Sequence, residues 1–196
     1  MSDLEIQLCE NENGDLCQDV LIIPQESSVN DILAAFERFC AEKTASCYGC
    51  VGCCQERVPV TSLDAERLLQ LLPTEERTLA KLCEKLLDIE TFPDGAVDIR
   101  LKRDPEGCCI LMDKENSCCS KHIYRTFACA SHYCLPRSEK LDDIRSAIVN
   151  QGMDELVRQL YAEGILPQIN IEDYPPNIFT GKSTYNDILL CELIDI

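Results

Sequence analysis

The chain has 196 residues, with 35 acidic residues against 18 Lys and Arg, and a net charge of −17. This balance leaves no excess of basic residues to neutralise phosphates, so it argues against a nucleic-acid partner and against an anionic membrane surface. A basic protein or a redox partner fits the charge better, although acidity can also serve solubility alone.

The first part of the chain predicts a hairpin followed by a helix. Two short strands, 4–9 and 20–23, flank a polar turn at 10–15. The apolar positions of 29–42 recur with helical spacing, so a helix is expected there.

The next part of the chain predicts a cysteine loop and two helices. The loop spans 47–54 and contains two glycines, which allow tight turns that point several sulfurs inward. A short extended piece at 57–60 leads into a helix over 61–72, which Pro73 ends. A second helix is expected over 74–90.

The second half of the chain predicts a strand pair, an irregular segment and two helices. Alternation favours a strand at 96–103, which a turn connects to a returning strand at 108–112. Residues 113–137 show little periodicity, so a bound metal would have to organise them. Two helices are expected within 138–163, followed by extended chain and a short terminal helix or strand.

These elements define an α+β fold, mainly helical with short antiparallel strands and an irregular cysteine-rich segment. We divide the chain into an N-terminal hairpin and helix (1–44), a cysteine-cluster domain (45–137) and a C-terminal helical subdomain (138–196).

Fifteen cysteines are an unusually large number for a chain of this length. Secreted proteins use such richness for disulfides, whereas intracellular proteins use it for metal or redox chemistry. The acidic start of the sequence does not have the pattern of a signal peptide, and no apolar run approaches the ~20 residues of a membrane span. We therefore expect a cytoplasmic metalloprotein rather than a disulfide scaffold.

The strongest motif is Cys47-x-x-Cys50-x-x-Cys53-Cys54. Each C-x-x-C step bends the chain so that two sulfurs can meet one metal or cluster, which makes the motif a strong signal for metal and a weak one for its identity. Together with the downstream segment, ten cysteines are candidate metal ligands: Cys47, Cys50, Cys53, Cys54, Cys108, Cys109, Cys118, Cys119, Cys129 and Cys134. Because one tetrahedral zinc needs four, this excess favours a polynuclear centre or two sites.

Adjacent cysteines raise a further question, because neighbours in extended chain point to opposite faces. Cys108 and Cys118 therefore either serve a second metal or belong to packing. Both histidines, His122 and His132, lie in the downstream segment, where each is a minor candidate for a ligand or a hydrogen-bond donor to sulfur. Tyr124, Arg125 and Tyr133 are further candidates for contact with the centre. Five other cysteines are expected to be structural or to lie outside the ligand set: Cys9, Cys17, Cys40, Cys83 and Cys191.

The first motif resembles the CxxCxxCC, or YkgJ-like, family described as zinc- or iron-chelating. In that family the motif leads into a helix that begins Asp-x-x-Arg, which Asp64-Ala65-Glu66-Arg67 matches here. The family's downstream cysteines match Cys109, Cys119 and Cys129, and the resemblance covers about residues 45–135. It implies a cofactor held by seven cysteines: Cys47, Cys50, Cys53, Cys54, Cys109, Cys119 and Cys129. The chain departs from the pattern at Thr126, where the family has Pro.

Three functions follow from these patterns. We favour an iron–sulfur protein with one or more clusters, either 4Fe-4S or larger, serving electron transfer or cluster-based chemistry. An alternative is a zinc- or iron-chelating module that binds a partner without redox chemistry. A third is a cluster-dependent enzyme, because flagellin lysine N-methylases carry a related cysteine motif. The sequence contains neither a Cys-x-x-x-Cys-x-x-Cys radical motif nor a Gly-x-Gly-x-x-Gly nucleotide fingerprint, so whether the chain is an enzyme stays open.

Overall fold

The structure is a computed structural model that describes residues 4–43, 52–132 and 134–193. In these ranges five α-helices accompany three two-stranded antiparallel sheets, so the fold is α+β as predicted. The helices are α1 Val29–Lys43, α2 Ser62–Leu68, α3 Leu79–Leu86, α4 Phe127–Ala130 and α5 Glu139–Ala162. The strands are β1 Ile6–Glu10, β2 Leu16–Val20, β3 Leu87–Thr91, β4 Val97–Leu101, β5 Met112–Asp113 and β6 Cys118–Cys119.

The N-terminal hairpin pairs β1 with β2 and places Cys9 directly opposite Cys17. The Asn11 side-chain oxygen accepts hydrogen bonds from two backbone N–H groups of the turn, which stabilises it. The predicted second strand at 20–23 is wrong, since β2 comes earlier and ends at Val20. The register of the hairpin, in which Cys9 pairs with Cys17, sets where β2 begins and ends. The apolar residues beyond β2 are left largely exposed, with Leu21 at 53% and Ile22 at 62%.

The predicted helix over 29–42 is confirmed as α1. The helix predicted over 61–72 is confirmed over α2, where Thr61 is the N-cap and forms a capping box with Asp64. The chain continues from α2 into a 3₁₀ turn at Leu69–Leu71.

The helix predicted over 74–90 is wrong at both ends. A 3₁₀ turn at Thr74–Glu76 comes first, α3 follows, and β3 begins at Leu87. β3 pairs with β4 over five residues, with Leu87 opposite Leu101. Pairing in a hairpin with the next strand outweighs the helical spacing of the apolar residues, because it buries Leu87 and satisfies the backbone groups of both strands.

The strand expected at 96–103 is confirmed as β4, but its partner is β3 and not 108–112. Only one bridge, between Arg103 and Cys109, joins β4's continuation to the returning chain. The predicted strand at 108–112 is therefore wrong except at its last residue, since Met112 begins the two-residue β5 that pairs with β6. The segment after it is largely irregular, as predicted, apart from β6, a 3₁₀ turn and α4.

One helix, α5, replaces the two helices predicted within 138–163. Its first half contributes Leu141, Ile144 and Ile148 to one buried apolar cluster, which also contains residues of α1. Its second half contributes Leu156 and Leu160 to a second cluster, formed with α2, β3 and β4. The change of partner halfway along a continuous helix explains why its sequence shows two separate apolar patterns.

Gly152 stands in the middle of α5 where a side chain would not fit. A Cβ atom there would lie 2.6 Å from Cβ of Thr61 and 3.0 Å from the Phe179 ring. The glycine therefore permits close packing between α5 and the start of α2. Gly164, with a φ of +72°, follows the end of α5 as predicted.

The C-terminal segment beyond α5 has short 3₁₀ turns at Ile171–Asp173, Tyr185–Asp187 and Leu190–Glu192. Tyr185, Ile188 and Leu190 complete the first apolar cluster. Among the helices that the structure describes, none combines the length and apolar character that crossing a bilayer requires.

Candidate metal centre

The two cysteine segments meet through their backbones. Cys53 and Cys54 lie on a 3₁₀ turn, Gly52–Gln55. The N–H of Cys109 donates a hydrogen bond to the carbonyl oxygen of Cys54 across 2.8 Å. This contact brings residues 55 positions apart in sequence side by side.

The thiol of Cys54 lies among other thiols. Burial raises its pKa to about 12, and Cys53, Cys109 and Cys119 raise it further by their charge. Burial also raises the pKa of Cys109, to which Cys119 and Cys53 again contribute. Cys54 and Cys109 also pack in the same apolar cluster, and the N–H of Met112, which pairs with Cys119, donates to the carbonyl oxygen of Cys109, so these side chains lie in one region.

Cys129 completes this group from the short helix α4. Burial raises its pKa to about 12; a hydrogen bond with Thr126 acts the other way, while Cys109 and Cys53 add to the increase. Thr126 is the N-cap of α4 and its hydroxyl accepts a hydrogen bond from the N–H of Cys129 at 3.3 Å. Thr126 thus holds the helix start where the family pattern has Pro, a residue that also suits helix starts.

Neighbouring cysteines differ in their described contacts. Cys119 pairs with Met112 and lies near Cys54, whereas Cys118 pairs with Asp113 and does not enter the thiol group among the described contacts. Cys108 is buried and donates its N–H to Asp104 at 3.0 Å. Cys134 is exposed. The five described thiols brought together are Cys53, Cys54, Cys109, Cys119 and Cys129, and we call them the thiol group.

Cys47, Cys50 and Tyr133 lie outside the described residues, so their predicted roles stay predictions. Within the described ranges, no three Cys, His, Asp or Glu side chains have the geometry that would hold a metal ion. The thiol group nevertheless fits a metal in its chemistry. Its donors are all sulfur, which suits zinc, cuprous copper and iron–sulfur clusters. Burial and neighbouring thiols raise the pKa of each thiol, and a bound cation would offset this rise by stabilising the thiolate form.

A buried polar network connects α2 to α4. Asp64 is fully buried, and its Oδ1 accepts hydrogen bonds from the N–H of Phe127 and the hydroxyl of Tyr185, both at 2.9 Å. Burial raises the pKa of Asp64, although hydrogen bonds from Thr61, Phe127 and Tyr185 oppose the shift. The Thr61 and Tyr185 hydroxyls lie 2.6 Å apart. The network fixes the start of the helix that carries Cys129.

Arg67, at the other end of the Asp-x-x-Arg motif, holds the chain just before α4. Its guanidinium donates to the carbonyl oxygen of Ile123 at 2.7 Å and to that of Arg125 at 3.4 Å. Asp64 and Arg67, both on α2, therefore hold the chain between Cys119 and Cys129 in place by hydrogen bonds. The sequence carried the motif, but its partners, 56 to 63 residues away, become visible only in the fold.

A cleft of about 400 Å³ opens on the thiol group, and sequence reasoning missed it. Cys53, Cys129 and His132 line it together with three arginines, Arg57, Arg137 and Arg145. These three arginines are spread over 88 positions of an acidic chain, so no local sequence motif marks them as neighbours.

The two histidines lie in different places. His132 follows α4, donates its N–H to the carbonyl oxygen of Cys129 at 3.3 Å and faces the arginine-lined cleft. His122 and Arg125 instead line a separate cavity with Tyr185 and Arg67. Of the two, His132 is thus the one beside a candidate ligand.

Of the cysteines expected to be structural, Cys9 and Cys17 lie in the N-terminal hairpin and Cys83 lies on α3. Cys9 and Cys17 face each other with sulfurs 3.0 Å apart, and their hydrogen bond, with burial, raises the pKa of Cys9 to about 11. Cys83 packs against the second apolar cluster, where burial raises its pKa to about 11.

Comparison of the chain with protein-family models, with curated proteins and with solved structures gave no match. The resemblance to the CxxCxxCC family therefore rests on the motif residues themselves.

Proposed function

We propose that this chain is an iron–sulfur protein whose centre is bound between the turn at 53–54 and the segment 109–129. The observation that carries the proposal is the proximity of five thiols from four parts of the chain, in which Cys54 and Cys109 are joined by a hydrogen bond and pack with Cys129 in one apolar cluster. Cys47 and Cys50, from the same motif as Cys53, would complete a set of seven. Seven sulfurs exceed the four that bind one cubane cluster, which favours a larger cluster or two sites.

The resemblance of the motif to the CxxCxxCC family supports a metal, and the all-sulfur donor set supports iron–sulfur over hard cations. Thiols that stay reduced are a requirement of such a centre. Cys54, Cys109, Cys119 and Cys129 of the thiol group are present as thiols, the form that the reducing cytoplasm would maintain. We therefore propose a cytoplasmic location.

We propose electron transfer as the role, or chemistry carried out at the cluster. Cys53, Cys119 and Cys129 are only partly buried, so a centre at these sulfurs would lie close to the surface. A net charge of −17 suits a basic protein or redox partner, and we propose no nucleic-acid partner.

The test is anaerobic purification followed by iron, acid-labile sulfide and zinc analysis, with electron paramagnetic resonance of the reduced protein. We expect a brown protein with stoichiometric iron and sulfide. A colourless protein that holds zinc without sulfide would replace this proposal with a zinc-chelating module, in which metal serves only to fold the segment around 109–129.

A further inference from the structure

The cleft beside the thiol group has a composition unlike the rest of this acidic chain. Three of its lining residues are arginines, and its two acidic members, Glu56 and Asp142, are both exposed. Its volume of about 400 Å³ is at the small end of the range for small-molecule sites. A concave, basic surface in a chain of net charge −17 requires an explanation.

The two innermost guanidiniums share one carboxylate. Nε of Arg137 donates to Oδ1 of Asp142 at 2.7 Å, whereas Nη1 of Arg145 lies 3.9 Å from the same oxygen. Arg145 is also the more enclosed, with a side chain that is 12% exposed. Its Nε and Nη2 donate to the Ser131 hydroxyl and the Ala128 carbonyl, which orient it towards α4 without neutralising it.

Arg57 contributes less free charge, because it forms a bidentate pair with Asp98, which lies outside the cleft. The uncompensated charge is therefore on the side of Arg137 and Arg145. The neighbouring groups agree with this: burial lowers the pKa of His132, and the charges of Arg145 and Arg137 lower it further, with Glu56 acting the other way. Burial and the nearby Arg137 also lower the pKa of Arg145 to about 10, while Asp142 and Cys129 oppose that shift.

We propose that this cleft binds a small oxyanion, a carboxylate or phosphate group, between Arg137 and Arg145, and so holds the ligand against Cys53 and Cys129. Guanidinium groups bind two-oxygen anions through paired, charge-assisted hydrogen bonds, and a partly enclosed site strengthens them. The binding of the anion requires only the arginines, whereas its position next to a metal centre rests on the proposed function. If both hold, the centre has a small anionic ligand in addition to any protein partner.

The test is isothermal titration of the purified protein with inorganic phosphate and, separately, with malonate, against chloride at equal ionic strength. We expect saturable binding of at least one of the two oxyanions and none of chloride. Arg137→Gln should weaken this binding by about tenfold, the loss expected for one charge-assisted contact. Arg77→Gln is the matched control, because Arg77 is exposed and its Nε donates to Leu72 elsewhere on the surface.

Two further measurements separate this inference from the proposed function. Metal content and thermal unfolding of Arg137→Gln should equal those of the parent protein, since this side chain holds no element of the thiol group. Cys119→Ser should lose metal yet still bind the oxyanion, because Cys119 is not in the cleft lining. Equal binding by Arg137→Gln and the parent, or no saturable binding at millimolar anion, would overturn the inference even if an iron–sulfur centre is present.

Discussion

The N–H of Cys109 lies 2.8 Å from the carbonyl oxygen of Cys54 and ties the two halves of the thiol group together. The contact uses the backbone of Cys109, while its side chain joins the other thiols. Its neighbour Cys108 donates its N–H to the Asp104 side chain and does not belong to the thiol group. Adjacent cysteines thus have different surroundings, which makes them a natural pair of variants.

We predict that Cys109→Ser and Cys119→Ser each lower the metal content of the protein, because each removes a sulfur of the thiol group. Loss of one ligand should reduce metal per chain by at least about twofold. Cys108→Ser and Cys118→Ser are the matched controls, one position away, and should retain the parent's metal content. Metal and sulfide analysis of anaerobically purified protein is the measurement. Equal losses in both members of a pair would contradict this ligand assignment.

Asp64→Ala is predicted to destabilise the protein by about 3 kcal/mol, since it leaves the N–H of Phe127 without its acceptor, removes one hydrogen-bond partner of the Tyr185 hydroxyl and breaks the capping box with Thr61. Tyr185→Phe removes one hydroxyl of the same network and should cost about 1 kcal/mol. Urea denaturation gives both values. The exposed neighbour Glu66 provides the control, because Glu66→Gln should change stability by less than about 0.5 kcal/mol. A similar small change for Asp64→Ala would show that the network contributes little.

The pair between Asp98 and Arg57 predicts a pH dependence of stability. Burial alone would raise the pKa of Asp98, but hydrogen bonds and charge from Arg57 and Arg100 outweigh it and hold the pKa below its usual 3.8. The stabilisation is therefore fully present above pH 3.8 and is lost as the pH falls through the lower pKa of the folded protein. Because Arg57 is half exposed, solvent limits the effect to at most about 1 kcal/mol.

The measurement for Asp98 is the free energy of unfolding from neutral pH to below pH 3.8, for the parent and Asp98→Asn. We expect the parent to be more stable at neutral pH and the two curves to converge in acid. In an Arg57→Gln background the same substitution should have a smaller effect, because only Arg100 remains as a partner. Curves that run parallel over the whole range would be inconsistent with the ion pair as the cause.

Cys9 is predicted to be slow to react with alkylating agents, because its hydrogen bond with Cys17, with burial, raises its pKa to about 11. Cys17→Ala removes the largest cause of that shift and should increase alkylation of Cys9 at pH 8 by roughly tenfold. Peptide mass spectrometry after timed iodoacetamide labelling measures the rate. Metal content serves as the control and should be unaffected, since neither residue belongs to the thiol group; an unchanged rate at Cys9 would refute the role of Cys17.

The sequence by itself determined the elements whose signals are local. The apolar spacing of α1, the Thr61–Asp64 capping box and the alternation of β4 follow from nearest neighbours in the chain. It also offered ten candidate cysteines, among them the five of the thiol group; the spacing within 47–54 is a local signal, whereas Cys109, Cys119 and Cys129 were singled out through the family resemblance. The choice among Cys108/Cys109 and Cys118/Cys119 stayed open, since a side chain's direction depends on which strand or bridge forms.

Tertiary structure decided everything that needs a distant partner. α5 became one helix because two apolar clusters lie side by side along its length. Only the fold brings Asp64 to the N–H of Phe127 and places three arginines around Cys53 and Cys129. Long-range pairing and burial have no signature in a local window of sequence, which is why the thiols were predictable and the cleft beside them was not.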